Sequence, residues 1–544
     1  MRRSLASVVQ PLAVLALAGA VFAAWMHLAV LDPTNIGWLL DGNDRGANAV
    51  GTAAYLKAGR WPLLNQPLLS YPQGLALLFT DSVPLIGFLA KPFGVEGVQL
   101  VGLWYLACVL LQAGFAWALV GRHARDPLTR WLGAALLTFV PVLLNRYGHP
   151  SLCAQWLILW GLWIHVDERR AASPWWWLAV LATAAMVHSY LLVMVAALWG
   201  TTVLRRLATE PRRGRVVAQL AILLPIAGIV AGHGVFGGGF VSTRSYGSWP
   251  LALDAWWNPA NPDYSALLPA SPDHGDALGF EGLQYLGAGL LGLVIVAVAI
   301  LAVRRSIGAE GRRLLWLIPA FTVLALIAIG PAPIWRGEPL FRLPMPRGLI
   351  DLLDPVRAAG RFGWPITYTA IYAAVAIVAR IRRATLLLGA ALALQVVDLS
   401  GMAAAIRSTS ARAEDRTLYT RTRDPRWATL IARAGSIDFE PPAPFGDLQL
   451  MEEVAWRAVA ACRPVRYFYA ARDARAVRTR TQADAAAFRA GRLDPTRLYI
   501  VLSGPVPAPV ASRAITIDGV AVVPPSAPAP PSLCVSASSP RSAS

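Results

Sequence analysis

About eleven apolar runs, most of them near the ~20 residues that cross a bilayer as a helix, follow one another between residues 8 and 401. They fall at roughly 8–31, 98–121, 131–147, 151–166, 174–187, 190–204, 216–232, 283–303, 314–330, 363–380 and 384–401. Alternate connections are short and arginine-rich: Arg122/Arg125/Arg130, Arg169/Arg170, Arg205/Arg206/Arg212/Arg213/Arg215, Arg304/Arg305/Arg312/Arg313 and Arg380/Arg382/Arg383. Basic residues concentrate on the cytoplasmic side of inserted chains, so these connections and the Arg2-Arg3 start are expected inside. The stretch 174–204 reads as one long helix or as two breaking at His188-Ser189. Two are predicted, because one would put the Arg205–Arg215 cluster outside. The first run is either a span or a cleaved signal peptide with small residues around Ala18–Ala24.

Composition agrees with a membrane chain. Hydrophobic residues make up 56% and charged residues 15%, too little charge to cover a soluble protein of this length. The net charge of +18 would suit nucleic acid, but its arginines sit between apolar runs, where they orient a membrane protein. No nucleic-acid partner is expected; membrane lipids are.

The predicted fold class is an α-helical polytopic membrane protein of about eleven transmembrane helices with a small soluble α/β C-terminal domain. Residues 1–401 form the membrane domain, with outer loops 32–97, 233–282 and 331–362. Within the first loop, Gly46–Gly59 and Val83–Phe93 read as short interfacial helices. From about Met402 charge rises and apolar runs shorten. Helices are predicted at Leu448–Cys462 and Thr481–Ala490, and strands at Val465–Tyr469 and Leu498–Leu502. This domain, 402–523, is expected in the periplasm, followed by a disordered Pro/Ser/Ala-rich tail, 524–544. Its Cys462 and Cys534 would be able to pair in an oxidising compartment, while Cys108 and Cys153 read as packing residues.

Ionisable residues are scarce inside the runs, which argues against a proton-coupled transporter. They gather instead at the outer ends. The first loop supplies Asp41, Asp44 and Asp81; Arg146 and His149 join two runs, His188 joins two more, and Arg357 and Arg361 precede the tenth. Each also has a plainer reading. Asp44, between Gly42 and Gly46, suits a flexible turn, and Asp81 before Val83-Pro84 suits a helix start. The histidines suit turns, and Arg146, Arg357 and Arg361 suit headgroup anchors.

A set of short motifs in fixed order spans about residues 30–370. It comprises Trp38–Gly46 with Gly51, Tyr71-Pro72-Gln73-Gly74, Thr80–Leu85, His149–Leu152 with Gln155-Trp156-Leu157, His188–Leu191, Tyr285-Leu286-Gly287 and Arg357–Phe362. In this set the chain resembles an uncharacterised bacterial family of multi-pass membrane proteins carrying a domain of unknown function. It departs from the pattern at Ser189, where Pro is common, and at Gln155, where His is common. That family is similar, more distantly, to the GT-C glycosyltransferases, polytopic enzymes that take sugars from polyprenyl-phosphate lipids and carry an acidic residue in the first outer loop. The resemblance implies a catalytic role for Asp44.

The residue types fit such chemistry. A carboxylate serves as general base on an acceptor hydroxyl or helps hold a divalent cation, and arginine suits a departing phosphate through paired donors. Asp44 is the first choice for the catalytic carboxylate, with Asp81 supporting it. Arg146, His149, His188, Arg357 and Arg361 are the substrate-binding ones. No Gly-rich phosphate loop follows a strand, which disfavours a nucleotide-sugar donor. The expected function is glycosyl transfer from a polyprenyl-phosphate sugar at the periplasmic face of the bacterial inner membrane, for envelope glycan or lipid modification. The alternatives are non-enzymatic binding or transport of a lipid-linked glycan, or an envelope-assembly scaffold.

Overall fold

The computed structural model describes residues 2–209, 213–234, 239–271, 279–304, 307–443 and 446–534. Arg212, Arg305 and residues 535–544 of the expected tail lie outside the described residues.

The apolar runs fold as helices whose ends follow local chemistry. Asp126 accepts a hydrogen bond from Thr129 N–H and Pro127 sits in the first turn, so the helix Pro127–Thr138 starts there. Pro174 likewise opens Pro174–Ala185. That helix stops before His188, and Ser189–Thr209 begins afresh, so 174–204 holds two helices as predicted.

Among the described residues, three helices are long and apolar enough to cross a membrane: Val101–Val120, Ser189–Thr209 and Ala309–Ile329. A fourth would be the pair Ala384–Asp398 and Ser400–Glu414, bent by 53°. Other expected spans are shorter, such as Trp156–His165 and Trp364–Val378. At 1.5 Å per residue, about fifteen residues reach only ~22 Å of a ~30 Å core. The protein is therefore a membrane protein, and the count of about eleven spans stays an expectation.

The Ser189–Thr209 helix links two polar regions. At its end the arginine-rich connections converge: Arg205 and Arg313 both pair with Glu168 at 3.1 Å, Arg122 pairs with Asp167 at 3.3 Å, and His123 with Glu310 at 3.0 Å. At its start lies His188, beside the cavity described below. A helix of this length places the two regions ~30 Å apart.

Beyond the last apolar helix is a four-stranded sheet of β1 (Ser436–Glu440), β2 (Arg497–Val501), β3 (Ile515–Ile517) and β4 (Val520–Val523), in the order β1-β2-β4-β3. β1 and β2 are parallel, with Ser436 opposite Arg497; the other pairs are antiparallel. Asp518 and Gly519, both at positive φ, close the β3–β4 hairpin. Helices Leu448–Ala460 and Arg475–Arg489 belong to the same region. Cys462 and Cys534 are disulfide-bonded.

Three local expectations need correction. Val465–Tyr469 is not a strand: Val465 makes single bridges to Leu69 and Ile437. The second helix begins at Arg475 rather than Thr481. The helix Asp44–Ala58 does not lie on the surface; most of it is buried, and it packs against Leu448–Ala460. The approach is close at Gly46, where a Cβ would stand 2.1 Å from Glu452 Oε2 and force that side chain to move. Further hydrogen bonds strap 465–471 to the first loop: Val465 N–H to Leu68 C=O at 2.7 Å, Tyr71 N–H to Val465 C=O at 3.0 Å, and Ala471 N–H to Phe79 C=O at 2.7 Å. This strap carries the C-terminal residues into the cavity.

Candidate active site

Six of the seven site residues read from the sequence line one cavity of about 520 Å³: Asp44, Asp81, His149, His188, Arg357 and Arg361. The seventh, Arg146, stands directly behind, fully buried, with Nη1 2.6 Å from the Glu281 carboxylate. Each is placed by a helix end or a tight turn rather than by a helix interior.

Asp44 is not on a flexible turn. It is the first residue of Asp44–Ala58, where a negative charge meets the exposed N–H groups favourably. Its Oδ2 lies 2.8 Å from His149 Nδ1, and the Tyr469 hydroxyl donates to the same carboxylate. Burial alone would raise its pKa; the His149 charge and these two hydrogen bonds outweigh it and hold Asp44 below the usual carboxylate range. For His149 the balance is reciprocal. Burial opposes its charge, but Asp44, Glu281 and Asp81 raise its pKa above the ordinary value. Each member of the pair thus favours the charged form of the other.

Asp81 differs. It does not start the helix Pro84–Ala90, whose N-cap is Val83; it closes the 3-10 turn Leu77–Thr80 as its C-cap, at φ 52° in the left-handed region. Asn48 holds its backbone carbonyl at 2.7 Å, and the Ser151 hydroxyl donates to Oδ1 at 2.8 Å. Oδ2 is buried, has no hydrogen-bond partner among the described residues and lies 4.0 Å from His149 Nδ1. Burial, with the Asp44 charge adding to it, pushes the Asp81 pKa up to about 7 despite His149. On its other side is His188, whose Nε2 is 4.0 Å from Asp81 Oδ1. Burial, then the Arg361 and His149 charges, lower the His188 pKa to about 3, so it is neutral. Its Nδ1 accepts from Tyr190 N–H at 3.1 Å, which leaves the ring proton on Nε2, facing Asp81.

The remaining cations divide into two groups. Arg361 and Arg146 both grip Glu281: Arg361 Nε is 2.7 Å away, with a second bond from Nη2. Burial would raise the Glu281 pKa, but the two guanidiniums force it well below the usual range. Arg357 makes no such pair among the described residues; it lies over Trp249 and donates to Thr243 Oγ1 at 2.9 Å.

The lining residues that the sequence reading missed include Glu281, Trp249, Tyr469 and Arg472. Glu281 lies four residues before the Tyr285-Leu286-Gly287 motif, and that proximity was its one signal. Tyr469 and Arg472 arrive from beyond the last apolar run through the strap and had none.

Among the described residues Asp44 pairs with His149, Glu281 pairs with two arginines, and no group of three or more His, Cys, Asp or Glu side chains is arranged to hold a metal.

These features define a membrane protein with a buried, charged cavity closed by a C-terminal α/β region. The chain belongs to the family described as Domain of unknown function (DUF6311), which matches residues 15–400, and the DUF6311 C-terminal domain matches 426–525. No curated protein matches it. Among solved structures it is similar to the oligosaccharyltransferase of Archaeoglobus fulgidus in the apo form, with TM-score 0.40 and 12% identity. It is also similar to that enzyme tethered with an acceptor peptide containing the NVT sequon (TM-score 0.36, 13% identity) and to archaeal AglB from the same organism with an inhibitory peptide and a dolichol-phosphate (0.33, 13%). Each alignment covers 84% of this chain and 64% of the other. The chain thus spans under two thirds of those proteins, and a likeness this distant transfers no activity.

Proposed function

We propose that this protein is a GT-C-like glycosyltransferase that takes a sugar from a polyprenyl-phosphate lipid at the periplasmic face of the inner membrane, for envelope glycan or lipid modification. One observation carries the reading: a carboxylate with a pKa of about 7, one oxygen of which has no hydrogen-bond partner among the described residues, shares a cavity with Arg357, which pairs with no carboxylate among them. A general base works best with a pKa near the operating pH, and arginine stabilises a departing phosphate. The disulfide suits an oxidising compartment, and the cavity and the arginine cluster lie about a bilayer apart along one helix.

In this mechanism Asp81 takes the proton of the acceptor hydroxyl. The freed oxygen attacks the anomeric carbon, the carbon–oxygen bond to the lipid phosphate breaks, and the phosphate leaves with the electron pair. Asp44 holds His149 protonated, and that charge steadies the Asp81 carboxylate as it loses or gains the proton. Arg357 faces the phosphate, while Arg361 and Arg146 fix Glu281 against the ring of charges.

The experiment places purified protein in nanodiscs with a radiolabelled polyprenyl-phosphate sugar and envelope extract as acceptor. Transfer of label out of the lipid supports the reading. Tight binding of the lipid-linked sugar with no turnover would make the protein a carrier instead.

A further inference from the structure

Two cations stand side by side at the cavity wall, and among the described residues no carboxylate pairs with either. Arg357 Nη2 donates to the carbonyl of Ala471 at 3.3 Å, and Arg472 Nη1 donates to the same carbonyl at 2.7 Å. Sharing one acceptor places the two guanidiniums side by side. Their other bonds also go to neutral groups: Arg357 to Thr243 Oγ1 at 2.9 Å, and Arg472 to the carbonyls of Asp354 and Pro355, each at 2.9 Å.

The nearby carboxylates are already engaged. Asp354 accepts from Thr243 N–H at 2.9 Å and Ser245 N–H at 2.8 Å, and Asp473 pairs with Arg478 at 3.7 Å. Glu281 is held by Arg361 and Arg146. Among the described residues, neither Arg357 nor Arg472 has a carboxylate within ion-pair distance. Burial and the Arg357 charge both depress the Arg472 pKa, as expected of a site short of negative charge.

We infer that Arg357 and Arg472 form a two-guanidinium clamp for a phosphate or diphosphate ester. Two planar forks offer paired donors in the geometry that phosphate oxygens accept, and a doubly charged group would relieve the repulsion between them. Phe79, Trp249 and Pro355 line the same wall and suit an apolar chain attached to that group. The two arginines come from opposite sides of the strap. Arg357 precedes the tenth apolar run, whereas Arg472 belongs to the C-terminal region and is held by the bond from Ala471 N–H to Phe79 C=O. Ligand binding would thus tie the C-terminal region to the membrane domain. The inference rests on the reading that this cavity is the substrate site, but it does not require transfer.

The test measures binding to the full-length protein in nanodiscs, with inorganic pyrophosphate in one arm and polyprenyl phosphate in the other. Arg357→Gln and Arg472→Gln should each weaken binding roughly tenfold or more. Arg472→Lys, which keeps the charge but loses the paired donors, should show a smaller loss and guards against a folding defect in the Gln variant. Weakening of the lipid arm supports a lipid-phosphate clamp, and weakening of the pyrophosphate arm alone supports a clamp for a free diphosphate. Unchanged affinity for both probes in both Gln variants, or no binding of either probe by the wild type, overturns the clamp. Binding that behaves as expected without any glycosyl transfer leaves the clamp standing and removes only the transferase.

Discussion

Glu281 accepts paired hydrogen bonds from Arg361, with Nε at 2.7 Å, while Arg146 donates to the same carboxylate from the buried side at 2.6 Å. Two of the three arginines read as substrate ligands are therefore matched within the protein. Removing one partner of a buried charge group leaves the others unpaired, typically at a cost of ~3–5 kcal/mol. Glu281→Gln should accordingly lower the thermal midpoint sharply. Arg357→Gln, in the neutral-partnered position, should leave it near wild type. Thermal denaturation of both in one lipid environment makes the comparison.

The raised pKa of Asp81 predicts an unusual pH dependence. A carboxyl whose folded pKa is about 7 binds more protons folded than unfolded between about pH 4 and 7, so it subtracts stability as pH rises through that window. Asp81→Asn should therefore gain stability relative to wild type above pH 7 and lose that advantage near pH 4. A difference independent of pH would show that Asp81 is not the titrating group.

His149 carries the opposite sign. Its folded pKa lies above the ordinary value, so its stabilising contribution is present below about pH 6.5 and fades as pH rises through the folded pKa. In Asp44→Asn the main partner charge is gone and burial remains. The His149 titration, followed by NMR of labelled imidazole, should move down. An unmoved titration would mean that Asp44 does not hold the ring charged.

What the sequence made legible follows from how each residue is placed. His149 and His188 stood out because they join apolar runs, and Asp81, Arg357 and Arg361 because they flank the outer ends; depth along a helix is readable from a run's length. Glu281 sits in a long loop without periodicity, and Tyr469 and Arg472 reach the cavity through contacts hundreds of residues apart. Nothing local encodes such closure. The ranking of the carboxylates also changed with structure. Asp44 led on its loop, but its environment holds it ionised and occupied, whereas burial tunes Asp81 toward neutrality. Spans were the least legible: apolar runs are visible, but where prolines and polar joints cut them short depends on packing.

Orientation is testable apart from chemistry. Reporter fusions near Arg213 and Arg305 should read cytoplasmic, and one after Arg416 periplasmic. Cys462 and Cys534 should resist thiol labelling until reduced, and their reduction should cost up to ~4 kcal/mol of stability in the chain-entropy account. A cytoplasmic signal after Arg416 would reverse the sidedness proposed for the cavity.

The most direct measurement is the single-turnover rate of glycosyl transfer from a polyprenyl-phosphate sugar by Asp81→Asn, in protein shown by thermal denaturation to be folded. Asparagine matches the size of aspartate and keeps the carbonyl oxygen that Ser151 contacts, but it cannot take a proton. Loss of a general base costs ~10²–10⁴-fold in rate. The account predicts a fall of that size with binding of the lipid-linked sugar retained. A folded Asp81→Asn protein that transfers at the wild-type rate would contradict it.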